Sequence, residues 1–193
     1  CYMIYDQPDL INAVFEKLSA IFTAYAELLG QFSCIGVIVG FDDMGFKTQT
    51  MYPPEFFNAH NIPIHKICAD IAHSQGKLYF VHSCGNLMGI MDVLIDDVKM
   101  DAKHSFEDAI MPVEDVKRVY GGRTALVGGL DLDVLCRADE KTLRARVRNI
   151  LRTCSLDGGY AFGSGNSLAK YVPVDNFIVM LEESRLFSHD NFG

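Results

Sequence analysis

Apolar residues recur along the chain with two different periods. Between Asp9 and Leu29 the spacing is helical: Leu10, Ile11, Val14, Phe15, Leu18, Ile21, Phe22, Tyr25, Leu28 and Leu29 make one wide apolar face. Asp6 can cap this helix, Pro8 suits its first turn, and Gly30 is a natural stop. A compact apolar run follows from Gly36 to Phe41, the pattern of a buried strand, and it ends in Asp42-Asp43. A helix is predicted from Pro54 to Gly76, split or kinked at Pro63. Lys77 to Val81 predicts the next strand, ending in His82-Ser83-Cys84-Gly85. Asn86 is placed to cap a helix with the stripe Leu87, Ile90, Met91, Leu94 and Ile95.

The same alternation continues to the end. A weaker strand is predicted around Val98 to Ala102, near Lys103-His104-Ser105. A helix opens at Pro112, and a strand covers Thr124 to Val127, ending in Gly128-Gly129-Leu130-Asp131. Glu140 to Cys154 is a helix with a clean stripe at Leu143, Val147, Ile150, Leu151 and Cys154. Gly159 to Phe162 is a fifth strand, ending in Gly163-Ser164-Gly165-Asn166, and Pro173 opens a last helix. Five strand–helix alternations predict an α/β fold with parallel strands. Both an open doubly wound sheet and a (β/α)₈ barrel fit that order. Glycine-rich ends on the last two strands favour the barrel. A whole barrel takes about 250 residues. Residues 1–193 are therefore expected to be a single domain, a partial (β/α)₈ TIM barrel of about five C-terminal βα units without the N-terminal strands.

Composition narrows the function classes. The chain has 25 acidic and 17 basic residues, a net charge of −8. With no lysine- or arginine-rich run, nucleic acid is not an expected partner. The longest apolar stretch, Cys34 to Phe41, is far too short to cross a bilayer, so no membrane partner is expected. Six cysteines, at 1, 34, 68, 84, 136 and 154, form no Cys-x-x-Cys pair. Reduced thiols and a cytoplasmic location are the expectation.

The chemistry-bearing residues gather at the carboxyl ends of the predicted strands, where both architectures bind ligands. His82 and Cys84, two apart on a strand, face the same side and could share one metal ion. A buried cysteine beside a hydrogen-bonded histidine has the same spacing. Asp42 and Asp43 could act as acid and base, or cap the following loop. His104, with Ser105, Glu107 and Asp108, forms a polar cluster and could carry a proton, or simply bond the next loop. Gly128-Gly129 and Gly163 to Asn166 could let backbone amides cradle an anion, or serve only as tight turns. No Gly-x-Ser-x-Gly elbow and no Walker loop is present. Arg137, Arg144, Arg146, Arg148 and Arg152 cluster on or beside one helix and are expected to form a solvated face.

Tyr5-Asp-Gln-Pro8, Asp42-Asp-Met-Gly-Phe46, His82-Ser-Cys-Gly-Asn86, Asp101 to Asp108, Gly128-Gly-Leu-Asp131 and Gly163-Ser-Gly-Asn-Ser167 occur in one order along the chain. In that combination the chain resembles the C-terminal part of the uroporphyrinogen decarboxylase superfamily. The resemblance implies a (β/α)₈ barrel and one of two chemistries. Corrinoid-linked methyltransferases of this superfamily use a zinc site to move a methyl group between a corrinoid and a thiol; uroporphyrinogen decarboxylases work without cofactor in porphyrin and heme biosynthesis. By resemblance to the methyltransferases, His82 and Cys84 are zinc ligands. The third ligand there, a cysteine on the last strand, is replaced by Asn166, where decarboxylases tend to carry histidine. Asp43 and His104 are then the expected catalytic groups, either of which could complete the site or orient substrate, and Asp42, Gly129, Asp131, Ser164 and Asn166 the substrate-binding ones. The leading expectation is a methyltransferase whose donor is a corrinoid, on a partner corrinoid protein or free, or a methylated small molecule. A uroporphyrinogen decarboxylase and a non-catalytic tetrapyrrole-binding subunit are the alternatives. An incomplete barrel is also expected to self-associate or to pair with the missing strands.

Overall fold

The computed structural model describes residues 2–192. Cys1 lies outside them. A short helix α1 (Met3–Asp6) leads into α2 (Pro8–Gly30), then β1 (Val37–Phe41), α3 (Pro54–Ala59), α4 (Asn61–Ser74), β2 (Leu78–His82), α5 (Met91–Asp96) and β3 (Ala102–His104). The second half adds α6 (Val113–Tyr120), β4 (Ala125–Val127), α7 (Leu132–Arg137), α8 (Glu140–Cys154), β5 (Tyr160–Ala161) and α9 (Val174–Phe192).

The five strands are all parallel and lie in the order β1-β2-β3-β4-β5. A doubly wound sheet reverses its strand order at a switch point. Unbroken sequential order is that of a barrel segment, and here the sheet is not closed: β1 and β5 are its edges. The register places Phe41, His82, His104, Val127 and Ala161 in one row across the sheet. The adjacent row, Gly40, Val81, Lys103, Leu126 and Tyr160, has the opposite orientation. Ile38, Tyr79, Val81 and Leu126 point toward the helices and are buried with Ala69 and Ala72 of α4, Leu94 of α5, Val116 of α6 and Val147 of α8 in one core. Packing on one side therefore frees the other face, at its carboxyl end, for polar groups. No helix among the described residues is long and apolar enough to cross a membrane.

Several local expectations shift. The helix after Pro54 breaks at His60, not at Pro63. Pro63 sits in the first turn of α4, where its missing N–H costs nothing. Asp6 lies within α1, and the residue before α2 is Gln7, with no side-chain cap. Asn86 caps only a turn, accepting from the Met88 N–H, and the helix proper starts at Met91. The third strand lies later than Val98 to Ala102. The chain leaves α5 through a left-handed Lys99, and Met100 N–H returns to the Leu94 carbonyl, so Val98 and Met100 bury themselves as a turn. Helix α7 was not expected; Asp131 caps it through the N–H groups of Asp133 and Val134.

The expected solvated face holds for Arg137, Arg148 and Arg152, which are exposed, and fails for Arg144 and Arg146, which are largely covered. Arg146 is mostly buried and bonds Asp108 and Glu114. Arg144 and Arg148 both bond Glu183 of α9, whose side chain is 1% exposed. These pairs tie α8 to its neighbours, because a buried carboxylate needs a cation beside it.

Candidate metal centre

Two loops build the site. The loop after β1 carries Asp43 and the loop after β2 carries Cys84. They are joined by backbone bonds from Asp42 N–H to the His82 carbonyl (3.1 Å), Gly45 N–H to the Cys84 carbonyl (3.2 Å) and Asn86 N–H to the Phe46 carbonyl (2.7 Å). Met44 N–H donates to Ser83 Oγ at 3.0 Å. Gly45 and Gly85 make this contact possible. A Cβ on Gly85 would lie 2.2 Å from the Gly45 carbonyl carbon, and one on Gly45 would lie 2.6 Å from Asn86 N. Gly85 also has φ +84°, a region that favours glycine.

This arrangement brings Asp43, His82 and Cys84 together. One ligand atom from each lies within 4.8 Å of the other two. Cys84 N–H donates to Asp43 Oδ1 at 3.0 Å, which holds the Asp43 carboxyl below its usual pKa range. Burial lowers the pKa of both His82 and His104, so both rings are neutral at pH 7.

Neutral rings fix the tautomers. His104 Nε2 lies 3.3 Å from the Ser164 carbonyl oxygen, which can only accept. That nitrogen therefore carries the proton, and His104 Nδ1 is an acceptor. His82 Nδ1 lies 2.7 Å from it and must be the donor. The remaining lone pair of His82 is then on Nε2, 3.8 Å from Cys84 Sγ. The chain of bonds from Ser164 leaves His82 presenting a ligating nitrogen toward the thiol.

Around the sulfur, Asn166 Nδ2–H donates to Cys84 Sγ at 3.1 Å and Ser105 Oγ–H at 3.6 Å. Asn166 Nδ2 also lies 3.4 Å from Ser105 Oγ. The structure thus gathers Asp43, His82, Cys84, His104, Ser164 and Asn166 at one place. Asp42 points elsewhere. Its carboxylate accepts from Asn61 (2.6 Å) and lies 3.5 Å from His65 Nε2, at the end of an apolar cleft of about 630 Å³ between α2 and the β1 edge. Asp131 spends its carboxylate on the α7 cap and on Asp108 N–H. The close approach at Gly129 is to Val113 of α6, whereas Gly128 is the glycine beside His104 and Ser164. Asp108 leaves the expected polar cluster for Arg146. Lys103 had no expected role, and Ser105 was expected only as a member of the His104 polar cluster, not beside Cys84. A lysine flanked by core positions in a strand was the available signal.

A family profile described as "Uroporphyrinogen decarboxylase (URO-D)" matches residues 1–186. A uroporphyrinogen decarboxylase of Coxiella burnetii is 25% identical over 197 aligned residues, covering 98% of this chain and 51% of the relative. One from Cupriavidus necator is 33% identical over 79 residues, covering 39% of this chain and 22% of the relative. A solved structure, a methyltransferase from Methanosarcina mazei, superposes with a TM-score of 0.73 at 20% identity, over 96% of this chain and 52% of that one. The chain spans about half the length of the Coxiella relative and of the solved structure. The shared fold, and the profile match along nearly its whole length, place the chain in the uroporphyrinogen decarboxylase family.

Proposed function

We propose that this chain belongs to a methyltransferase, in which His82 Nε2, Cys84 Sγ and an Asp43 carboxylate oxygen hold a zinc ion. The observation that carries this reading is the Ser164–His104–His82 chain, which turns a lone pair toward the thiol with Asp43 alongside. The donor set fits the metal: nitrogen, sulfur and oxygen from three residues, the number found at catalytic zinc sites that keep a position open. Zinc bound there would supply Lewis acidity that favours the thiolate form of an acceptor thiol at neutral pH.

The chain's own residues prepare that chemistry. His104 fixes the His82 ring, and the Cys84 N–H fixes Asp43. Asn166 and Ser105 place hydrogen-bond donors on the Cys84 sulfur, which spreads its charge. Asn166 takes the place of a ligand and supplies a donor to one instead. In the transfer itself the acceptor thiol loses its proton to solvent, and the thiolate lone pair forms the sulfur–carbon bond as the methyl–donor bond breaks and leaves its electron pair on the donor. A corrinoid or a methylated small molecule is the proposed donor. The open edges β1 and β5 are the proposed places for completion by further strands or by a second copy.

The test incubates zinc-loaded protein with methylcobalamin and a small thiol and follows loss of the methylcobalamin spectrum. Demethylation that disappears in Cys84→Ser and His82→Ala is the expected result. Zinc-independent formation of coproporphyrinogen from uroporphyrinogen, unaffected by those substitutions, would overturn it in favour of decarboxylation.

A further inference from the structure

Lys103 is 3% exposed and lies among core residues on the helix side of the sheet, in the row between Val81 and Leu126. Its ammonium is 4.5 Å from the centre of the Phe106 ring. Burial lowers its pKa to about 8, which leaves it mostly charged at pH 7. Three carbonyl oxygens accept from it: Ser83 (3.5 Å), His104 (3.4 Å) and Ser105. Three acceptors match the three N–H bonds of an ammonium group. These carbonyls belong to the residue before Cys84, to the histidine that orients His82, and to the next residue in the chain.

Ser105 is the unusual member. In a regular strand it would face the same side as Lys103, because side chains alternate. Its φ is instead +90°, a conformation that a residue with a side chain adopts only when its surroundings impose it. The turn carries the hydroxyl round to the other face, 3.6 Å from Cys84 Sγ, while the Ser105 carbonyl stays with Lys103. We propose that Lys103 is a positioning residue that, from the opposite face of the sheet, holds Ser105 in its left-handed conformation and so aims its hydroxyl at Cys84. The inference concerns the same sulfur as the proposed centre but needs no bound ion.

The test is the rate at which iodoacetamide modifies Cys84 in chelator-treated protein, read by peptide mass spectrometry, with Cys136 as internal control. Hydrogen bonds to sulfur favour the reactive thiolate. Lys103→Gln and Ser105→Ala should each slow modification of Cys84 by about fivefold or more. The double variant should be no slower than Lys103→Gln alone, because losing the hydroxyl adds nothing once the turn that aims it is released. Cys136 should react at its normal rate throughout. A folded Lys103→Gln protein with the wild-type Cys84 rate, or independent additive effects, would overturn the proposal. Should Lys103→Gln not fold, Ser105→Gly is added to it, since glycine adopts the left-handed backbone without strain. Recovered folding supports the proposal, and failure to recover assigns Lys103 to core stability alone and overturns it.

Discussion

Gly85→Ala tests whether close backbone contact is what locks the two site loops together. Gly85 sits at φ +84°, and an added Cβ would meet the carbonyl carbon, oxygen and Cα of Gly45 at 2.2, 2.3 and 2.6 Å. All three are backbone atoms, which cannot rotate aside as a flexible side chain does. The left-handed conformation alone costs alanine about 1–2 kcal/mol. Overpacking adds about 1–3 kcal/mol. Gly158→Ala separates the two effects, because Gly158 has φ +74° and nothing within 4 Å of the new Cβ. Any gain from a stiffer unfolded chain is common to both variants. Gly85→Ala should therefore be less stable than Gly158→Ala by about 1–3 kcal/mol, the packing cost alone. Urea unfolding followed by far-ultraviolet circular dichroism measures the difference. Equal losses in the two proteins would refute the claim that the Gly45–Gly85 contact fixes the position of Asp43 against Cys84.

Other outcomes follow from the same contacts. Replacing Arg144 and Arg148 together by alanine, which leaves the buried Glu183 carboxylate without a cation, should cost about 3–5 kcal/mol in urea unfolding. Replacing Arg137, whose pair with Asp133 is exposed, should cost almost nothing by the same measurement. Burial depresses the pKa of His82 and His104, so the unfolded chain binds protons that the folded one refuses. Their contribution to stability is complete above the unfolded value of about 6.5 and is lost as pH falls through the folded values, so the urea midpoint should decline below pH 6.5. Asn166→Cys would put a thiol where an amide now touches Cys84 Sγ at 3.1 Å, and zinc affinity in a chelator competition should rise about tenfold or more.

The alternation of short apolar runs with 3.6-period stripes made the architecture legible, and α8 matches its expected span, Glu140–Cys154, at both ends. His82 and Cys84 were legible as a pair because strand periodicity puts residues i and i+2 on one face. Asp43 was legible only as one of two candidates, with His104, to complete that pair; its place beside them depends on two glycines approaching across loops that are 40 residues apart in sequence. Ser105 was hidden for the opposite reason: its left-handed turn breaks the alternation by which strand faces are read. Asp131 looked like a pocket residue at a strand end because a helix cap and a ligand contact call for the same side chain. Arg144 and Arg146 looked solvated because their partners Glu183 and Glu114 lie on α9 and α6, and sequence spacing carries no sign of such distant pairs.

The most direct test of the proposed centre is equilibrium zinc binding. Metal-free protein would be titrated with zinc against a chromophoric chelator, alongside Cys84→Ser and His82→Ala, with folding checked by circular dichroism. Binding of about one zinc per chain by the wild type, lost in both folded variants, is the expected result. A folded wild-type protein that takes up no zinc, or variants that bind it as tightly as the wild type, would contradict a metal centre built on Asp43, His82 and Cys84.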